Sequence, residues 1–171
     1  MENDTIINKK VHAFFRNSLY PILLIGETKD ERDKNMTGKV LEKQLSIGLK
    51  NIPGKFLEEM ALVYEPVWAI GQESSASLDI IDDSHKMVRK IITKIYNTHI
   101  SNYVRILYGG SVNIDNAKEI IKIPDVDGLA ITRGALDAQN FINFIKITEI
   151  EAKYRFNKSY TRSMYENSDR M

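Results

Sequence analysis

Tyr64-Glu65-Pro66-Val67-Trp68-Ala69-Ile70-Gly71 follows directly on the hydrophobic run Met60-Ala61-Leu62-Val63. That run has the length and composition of a buried strand, and it delivers a carboxylate at its end. Pro66 has no N–H to donate to a sheet, so the strand must stop there. Glu65 is therefore expected at the C-terminal mouth of a buried parallel strand, which is where α/β barrels carry their chemistry. Val67 to Gly71 reads as an apolar loop with a glycine, the composition of a lid that closes over a ligand. The plain alternative for Glu65 is a strand-end carboxylate held in a structural ion pair.

On either side of this stretch, apolar runs alternate with amphipathic segments. Ile6, Val11, Phe14 and Phe15 recur at helical spacing, a turn follows at Asn17-Ser18, and a strand is expected at Pro21–Ile25. Val40, Leu41, Leu45 and Leu49 make one stripe of a helix over about Thr37–Leu49. Asn51-Ile52-Pro53-Gly54 breaks the chain, and a short helical turn leads into the strand Met60–Tyr64. Ile80, Ile81, Met87, Val88, Ile91, Ile92 and Ile95 mark a helix over about Ser77–Asn97. A strand at Val104–Tyr108, a helix at about Ile114–Ile121 and a strand at Gly128–Ile131 come next. Asp137 is placed as the cap of a last helix reaching about Ile150. This alternation implies parallel β/α units joined by right-handed crossovers.

Hydrophobic residues at 43% and charged residues at 27% suffice for one packed domain. A net charge of +1 argues against a nucleic-acid or membrane role driven by bulk electrostatics. Cys is absent, which excludes disulfides and thiolate metal sites, and three scattered His residues give no metal-ligand spacing. No apolar run approaches the roughly 18 residues that span a bilayer, and the first residues do not read as a signal peptide. A cytoplasmic protein with no cofactor is the expectation.

The motifs resemble those of the triosephosphate isomerase family. The octapeptide is similar to that family's signature, whose Glu is the catalytic base. Pro21-Ile22-Leu23-Leu24-Ile25-Gly26-Glu27-Thr28, with Asp30-Glu31-Arg32, resembles its fifth strand and the loop after it, Glu27 and Arg32 standing where the family has a conformational ion pair. Tyr108-Gly109-Gly110-Ser111-Val112 resembles the seventh strand and phosphate loop, and Pro124-Asp125-Val126-Asp127-Gly128-Leu129 the entry to the eighth. Glu2-Asn3-Asp4 through Lys9-Lys10-Val11 is similar to the fourth helix. The likeness runs from about Glu2 to about Ile147, and the motifs occur in the family's order.

It implies an α/β fold of the TIM (β/α)8-barrel family, here an incomplete or half barrel of about four parallel β/α units. Residues 1–150 would form the C-terminal half of such a barrel. Residues 151–171 would be an extra basic, aromatic tail, read either as a frayed helix end or as a contact for RNA or a partner. A full barrel typically takes about 250 residues, and this chain has 171. The family's first four strands have no counterpart, so its Asn-x-Lys and its catalytic His are missing. His12 sits on a helical stripe and does not replace them.

The implied chemistry is aldose–ketose isomerisation of a sugar phosphate, with Glu65 as the base; the family pairs that Glu with a neutral His electrophile. Gly71, Gly109, Gly110 and Ser111 match positions whose backbone amides hold the phosphate; taken alone, Gly109-Gly110 reads as a tight turn. The family ends its eighth strand with two glycines, where Thr132 and Arg133 stand in this chain. Arg133 either grips the phosphate through paired N–H groups or faces solvent. The lid departs too: Gln72-Glu73-Ser74-Ser75-Ala76 replaces a glycine and a Lys-Thr-Ala hinge, and Glu73 brings a negative charge toward an anionic substrate. Relatives acting on erythrulose phosphates carry an Arg at the same position and also differ in the lid. Trp68 is expected to pack in the lid hinge, and His85 to be a structural or surface residue.

Four β/α units cannot close a barrel, so the first and last strands are expected to keep open edges and an apolar inner face. Three outcomes follow. A complementing N-terminal half-barrel restores a working enzyme, two copies pair as a homo-oligomer, or the chain is a truncated product. The expected ligand is a small-molecule sugar phosphate, triose before tetrose, and without the Lys and His the chain alone is expected to be weak or inactive. The reading outside enzymology is a non-catalytic phosphate-binding scaffold.

Overall fold

In a computed structural model, which describes residues 2–151, four short strands lie side by side in chain order. They are β1 (Ile22–Ile25), β2 (Ala61–Tyr64), β3 (Arg105–Gly109) and β4 (Gly128–Ala130), and every neighbouring pair is parallel. Parallel neighbours need a crossover at each step. α3 (Thr37–Gly48) carries the chain from β1 to β2; α4 (Leu78–Ile95) and α5 (Thr98–Tyr103) carry it to β3; α6 (Ile114–Ile121) carries it to β4. α1 (Asp4–Arg16) precedes the sheet, α2 (Lys29–Asp33) is a short turn after β1, and α7, residues 138–151, follows β4. Four parallel strands with helices between them are what the alternation implied, and they are consistent with a part of the (β/α)8 barrel that the resemblance implied. Of the tail expected over residues 151–171, Glu151 ends α7 and the rest lies outside the described residues.

The helices press one apolar stripe each onto one face of the sheet. Leu41, Leu45, Ile81, Val88, Ile92 and Ile120 are buried against Leu23, Ile25, Leu62, Tyr64, Ile106 and Tyr108. Each such aliphatic side chain contributes about 1.5–3 kcal/mol. The other face is bare at the β1 edge, whereas Val63 of β2, in register with Leu24, is 2% exposed. Along β1, Leu23 and Ile25 point to the helices, while Ile22 and Leu24 point away and are 64% and 55% exposed. Parallel sheets are ordinarily covered on both faces, and here the β1 edge leaves Ile22 and Leu24 apolar and exposed. β1 and β4 stand at its two edges.

Two helices were not expected. Thr28 and Glu31 form a reciprocal capping box that starts α2. Asn97 accepts from Ile100 N–H at 2.9 Å and starts α5, in the stretch left without an element between the helix expected to end at about Asn97 and the strand expected from Val104. Tyr96 causes the break: its backbone leaves the helical region at φ −119 and ψ −91. Its hydroxyl meets the Leu49 and Ile52 carbonyls at 3.2 and 2.9 Å. Burial pushes that phenol up to about 12. β2 and β3 each begin one residue later than expected, and Ile131 lies beyond β4. Asp137 does cap α7, accepting from Asn140 N–H at 2.8 Å.

Candidate active site

Glu65 is the first residue past β2. Its N–H donates to the Ile25 carbonyl at 2.8 Å, one rung beyond the last strand pair, and past Pro66 the Val67 N–H donates to the Glu27 carbonyl at 3.0 Å. The Glu65 rung is possible because residue 26 is glycine: a β-carbon there would overlap the Glu65 carbonyl. Gly26 is itself fixed by the Gln44 amide, which accepts from its N–H and donates to its C=O, both at 3.0 Å. The Glu65 side chain is half-buried and reaches over β3, with Oε1 3.3 Å from the point where a β-carbon on Gly109 would sit. Among the described residues it forms no ion pair.

The ion pair at this level belongs to Glu27. Fully buried, Glu27 receives Arg32 Nη1 at 3.0 Å, the Tyr64 hydroxyl at 3.1 Å and Trp68 Nε1 at 3.0 Å. The Arg32 guanidinium also lies 5.4 Å from the Trp68 ring centre. Burial, above all, raises the Tyr64 pKa. Trp68 thus ties the loop after β2 to the loop after β1. The pairing of Glu27 with Arg32 is observed as well.

Past Gly71, in the left-handed region at φ 72, the far end of the lid is held by β3. Ala76 N–H donates to the Tyr108 hydroxyl at 3.1 Å, and that hydroxyl donates to the Gly110 carbonyl, also at 3.1 Å. Burial pushes Tyr108 up to about 12, so it stays a donor across the physiological range. Gly110 has φ 135, and a β-carbon on it would run into the Tyr108 oxygen; only glycine fits. Ser111 is left-handed at φ 51, a conformation that costs a side-chain-bearing residue about 1–2 kcal/mol. Two hydrogen bonds hold it, Ser111 Oγ to the Ala69 carbonyl at 2.9 Å and Asn116 Nδ2 to the Ser111 carbonyl at 3.1 Å.

These elements meet around one cleft of about 320 Å³, lined by Glu65, Gly71, Gly110, Ser111, Thr132 and Arg133 among others. Gly109 lies behind it, under the Glu65 carboxylate. Arg133 is exposed and opens a single turn of tight helix, Arg133–Ala135, at the rim. Glu65 and Arg133 are the two charged residues of the lining. His85 is not part of it. Buried on α4, it bonds the Ile81 carbonyl through Nδ1 at 2.9 Å and stands edge-on to Tyr64, a structural position. Among the described residues no group of three or more His, Asp and Glu side chains is placed to hold a metal ion, and no helix is long and apolar enough to cross a membrane.

Sequence reasoning missed the contacts that aim this site. Gln44 bracketing Gly26, Trp68 bonding Glu27 and Ala76 bonding Tyr108 join residues 18, 41 and 32 positions apart, and no local pattern signals them.

A family model described as triosephosphate isomerase matches residues 1–148. The chain belongs to the triosephosphate isomerase family. The triosephosphate isomerase of Syntrophotalea carbinolica is 36% identical over 149 residues, covering 87% of this chain and 59% of the relative. That of Citrifermentans bemidjiense is 38% identical over 148 residues, 86% of this chain and 59% of the relative. The Borreliella burgdorferi triosephosphate isomerase is 41% identical over 145 residues, 84% of this chain and 57% of the relative. The chain therefore spans about three-fifths of the length of the curated triosephosphate isomerases it matches.

Proposed function

We propose that this chain carries the base and the phosphate cradle of a sugar-phosphate aldose–ketose isomerase acting on glyceraldehyde 3-phosphate and dihydroxyacetone phosphate. One carboxylate can move a proton between adjacent carbons through an enediolate, provided the developing oxyanion is stabilised. Glu65 is that base. Its placement in one cleft with Gly71, Gly110, Ser111, Thr132 and Arg133 is the observation that carries the proposal. Backbone amides of the left-handed turns take the phosphate oxygens, and Arg133 adds a charged donor at the rim. The lid, tethered at Trp68 and Ala76, keeps water from the enediolate.

No Lys or His lines the cleft among the described residues, so the electrophile comes from another β/α unit. Loss of one oxyanion donor costs about 10²–10³ in rate, and the chain alone is expected to turn over slowly or not at all. The test is isomerase turnover by the chain alone and with a complementing half-barrel, on triose and tetrose phosphates in parallel. Turnover in the mixture, lost in Glu65→Gln, supports the proposal. Inorganic phosphate bound without turnover in any mixture supports a scaffold and contradicts it.

A further inference from the structure

We infer that His85 is a positioning residue of the loop between β2 and α4: its neutral ring braces both anchors of that loop, and a proton on it releases them together. The role concerns the loop itself, and no substrate is needed to read it.

Both anchors depend on tyrosines that stand side by side in the sheet. Tyr64 on β2 and Tyr108 on β3 are register partners, and both are fully buried. At the near end of the loop, the Tyr64 hydroxyl meets both Glu27 carboxylate oxygens at 3.1 Å, and Glu27 receives Trp68 Nε1 at 3.0 Å. At the far end, the Tyr108 hydroxyl receives the Ala76 N–H at 3.1 Å. His85 closes a triangle with the two rings from α4. Its ring centre lies 5.7 Å from that of Tyr64, edge-on at 89°, and 6.2 Å from that of Tyr108, tilted at 49°. Both separations fall in the range of favourable aromatic pairing. One buried ring thus packs against the two side chains from which the loop hangs.

The chemistry of that ring makes the brace sensitive to protons. Nδ1 lies 2.9 Å from the Ile81 carbonyl, which can only accept, so Nδ1 carries the hydrogen and Nε2 is the bare nitrogen. Nε2 is buried without a hydrogen-bond partner among the described residues. A proton arriving there adds a donor and a unit charge where neither is accommodated. The groups that act on it come from every side. Burial disfavours the charged form most; the Ile81 carbonyl of α4, the Leu107 carbonyl of β3 and Asp127 before β4 favour it, and Arg89 of α4 opposes it. Arg89 already binds Asp127, Asp82 of α4 is taken by Lys86, and Glu27 stands beyond the Tyr64 hydroxyl. The balance lowers the His85 pKa from its ordinary 6.5. Once the anchors part and water reaches the ring, that value recovers. Opening therefore takes up a proton, and below pH 6.5 its equilibrium gains up to about tenfold per pH unit until the closed-state value is passed.

The test follows the full chain from pH 7 to pH 5 by three readouts: the His85 ring protons in NMR spectra, the emission of Trp68, the sole tryptophan, and the protection of the Ala76 amide, corrected for its intrinsic exchange rate. A His12→Asn, His99→Asn double variant leaves His85 as the sole histidine, so its ring signal is unambiguous. Ala76 protection should fall at least tenfold and Trp68 emission should shift, both with the midpoint of the His85 ring. Far-UV circular dichroism should stay native throughout, which sets loop release apart from global unfolding. His85→Phe keeps a ring and cannot titrate, so both loop readouts should lose their pH dependence. Should His85→Phe not fold, the double variant decides alone, because the three midpoints must coincide. Loop transitions that persist in His85→Phe, that miss the ring midpoint, or that appear only as every amide loses protection overturn the inference. Since no readout involves isomerisation, a chain that never turns over leaves this result standing, and the reverse holds as well.

Discussion

The carbonyl oxygen of Glu65 passes so close to Gly26 that a β-carbon on Gly26 would overlap it. Two strand ends, β1 and β2, are thereby locked one rung past their last pair, with Glu65 N–H on the Ile25 carbonyl at 2.8 Å. The position of the proposed base is set by a glycine 39 residues upstream of it and not by the octapeptide alone.

Gly26→Ala should therefore act on stability and on the site together. Overpacking typically costs about 1–3 kcal/mol, and here the obstacle is backbone, so the upper end is expected. Urea unfolding checks it: the midpoint should fall with the slope unchanged. An unshifted midpoint would mean that the strand end yields freely.

Tyr108→Phe removes the hydroxyl that serves both the Ala76 N–H and the Gly110 carbonyl. Loss of such a bridge should cost about 1–3 kcal/mol. Local opening of the lid should rise with it, read as at least tenfold faster hydrogen exchange at the Ala76 amide. Exchange unchanged at Ala76 would show that the lid is held by Trp68 alone.

Glu27→Gln leaves Arg32, whose side chain is 25% exposed, without its buried partner. Removing one member of a buried pair costs about 3–5 kcal/mol, and partial exposure of Arg32 puts this case near the lower figure. Trp68 is the sole tryptophan and bonds Glu27 directly, so its fluorescence should shift at temperatures well below unfolding. A melting curve and emission spectrum identical to the parent would contradict the cluster.

His85 supplies a pH dependence. Burial is the main cause of its lowered pKa, so the folded protein keeps it neutral where the unfolded chain would protonate. Asp127 opposes that shift and Arg89 reinforces it. A group with a depressed folded pKa binds more protons when unfolded. Its neutral form is fully accommodated above the ordinary value near 6.5, and stability falls as pH drops below it. Urea midpoints should therefore decline from pH 7 toward pH 5, and His85→Asn should flatten that slope. An equal slope in the variant would assign the acid sensitivity elsewhere.

The sequence carried the strands because each is a short apolar run stopped by local chemistry: Pro66 after β2, Gly109-Gly110 after β3. Helix faces were legible for the same reason, as the stripe Leu41, Leu45 and Leu49 shows. The end of α4 near Tyr96 fell within two residues of the expected bound at Asn97, while α5 and the Tyr96 hydroxyl contacts with Leu49 and Ile52 across the fold were hidden. Thr28-x-x-Glu31 did carry a capping-box signal for α2, visible in the spacing and passed over. Of the site, Glu65 and the glycine turns could be named from their order in the chain. The aim of the carboxylate could not, because Gly109 meets the carboxylate, Gly26 meets the Glu65 carbonyl and Gln44 holds Gly26 only after folding.

Enediolate chemistry leaves a mark that needs no net isomerisation, the entry of solvent hydrogen at the carbon beside the carbonyl. In D2O, the chain assembled with a complementing half-barrel should place deuterium on that carbon of dihydroxyacetone phosphate. Glu65→Gln should incorporate none while still binding inorganic phosphate. Wash-in at the parental rate by Glu65→Gln would contradict the assignment of the base.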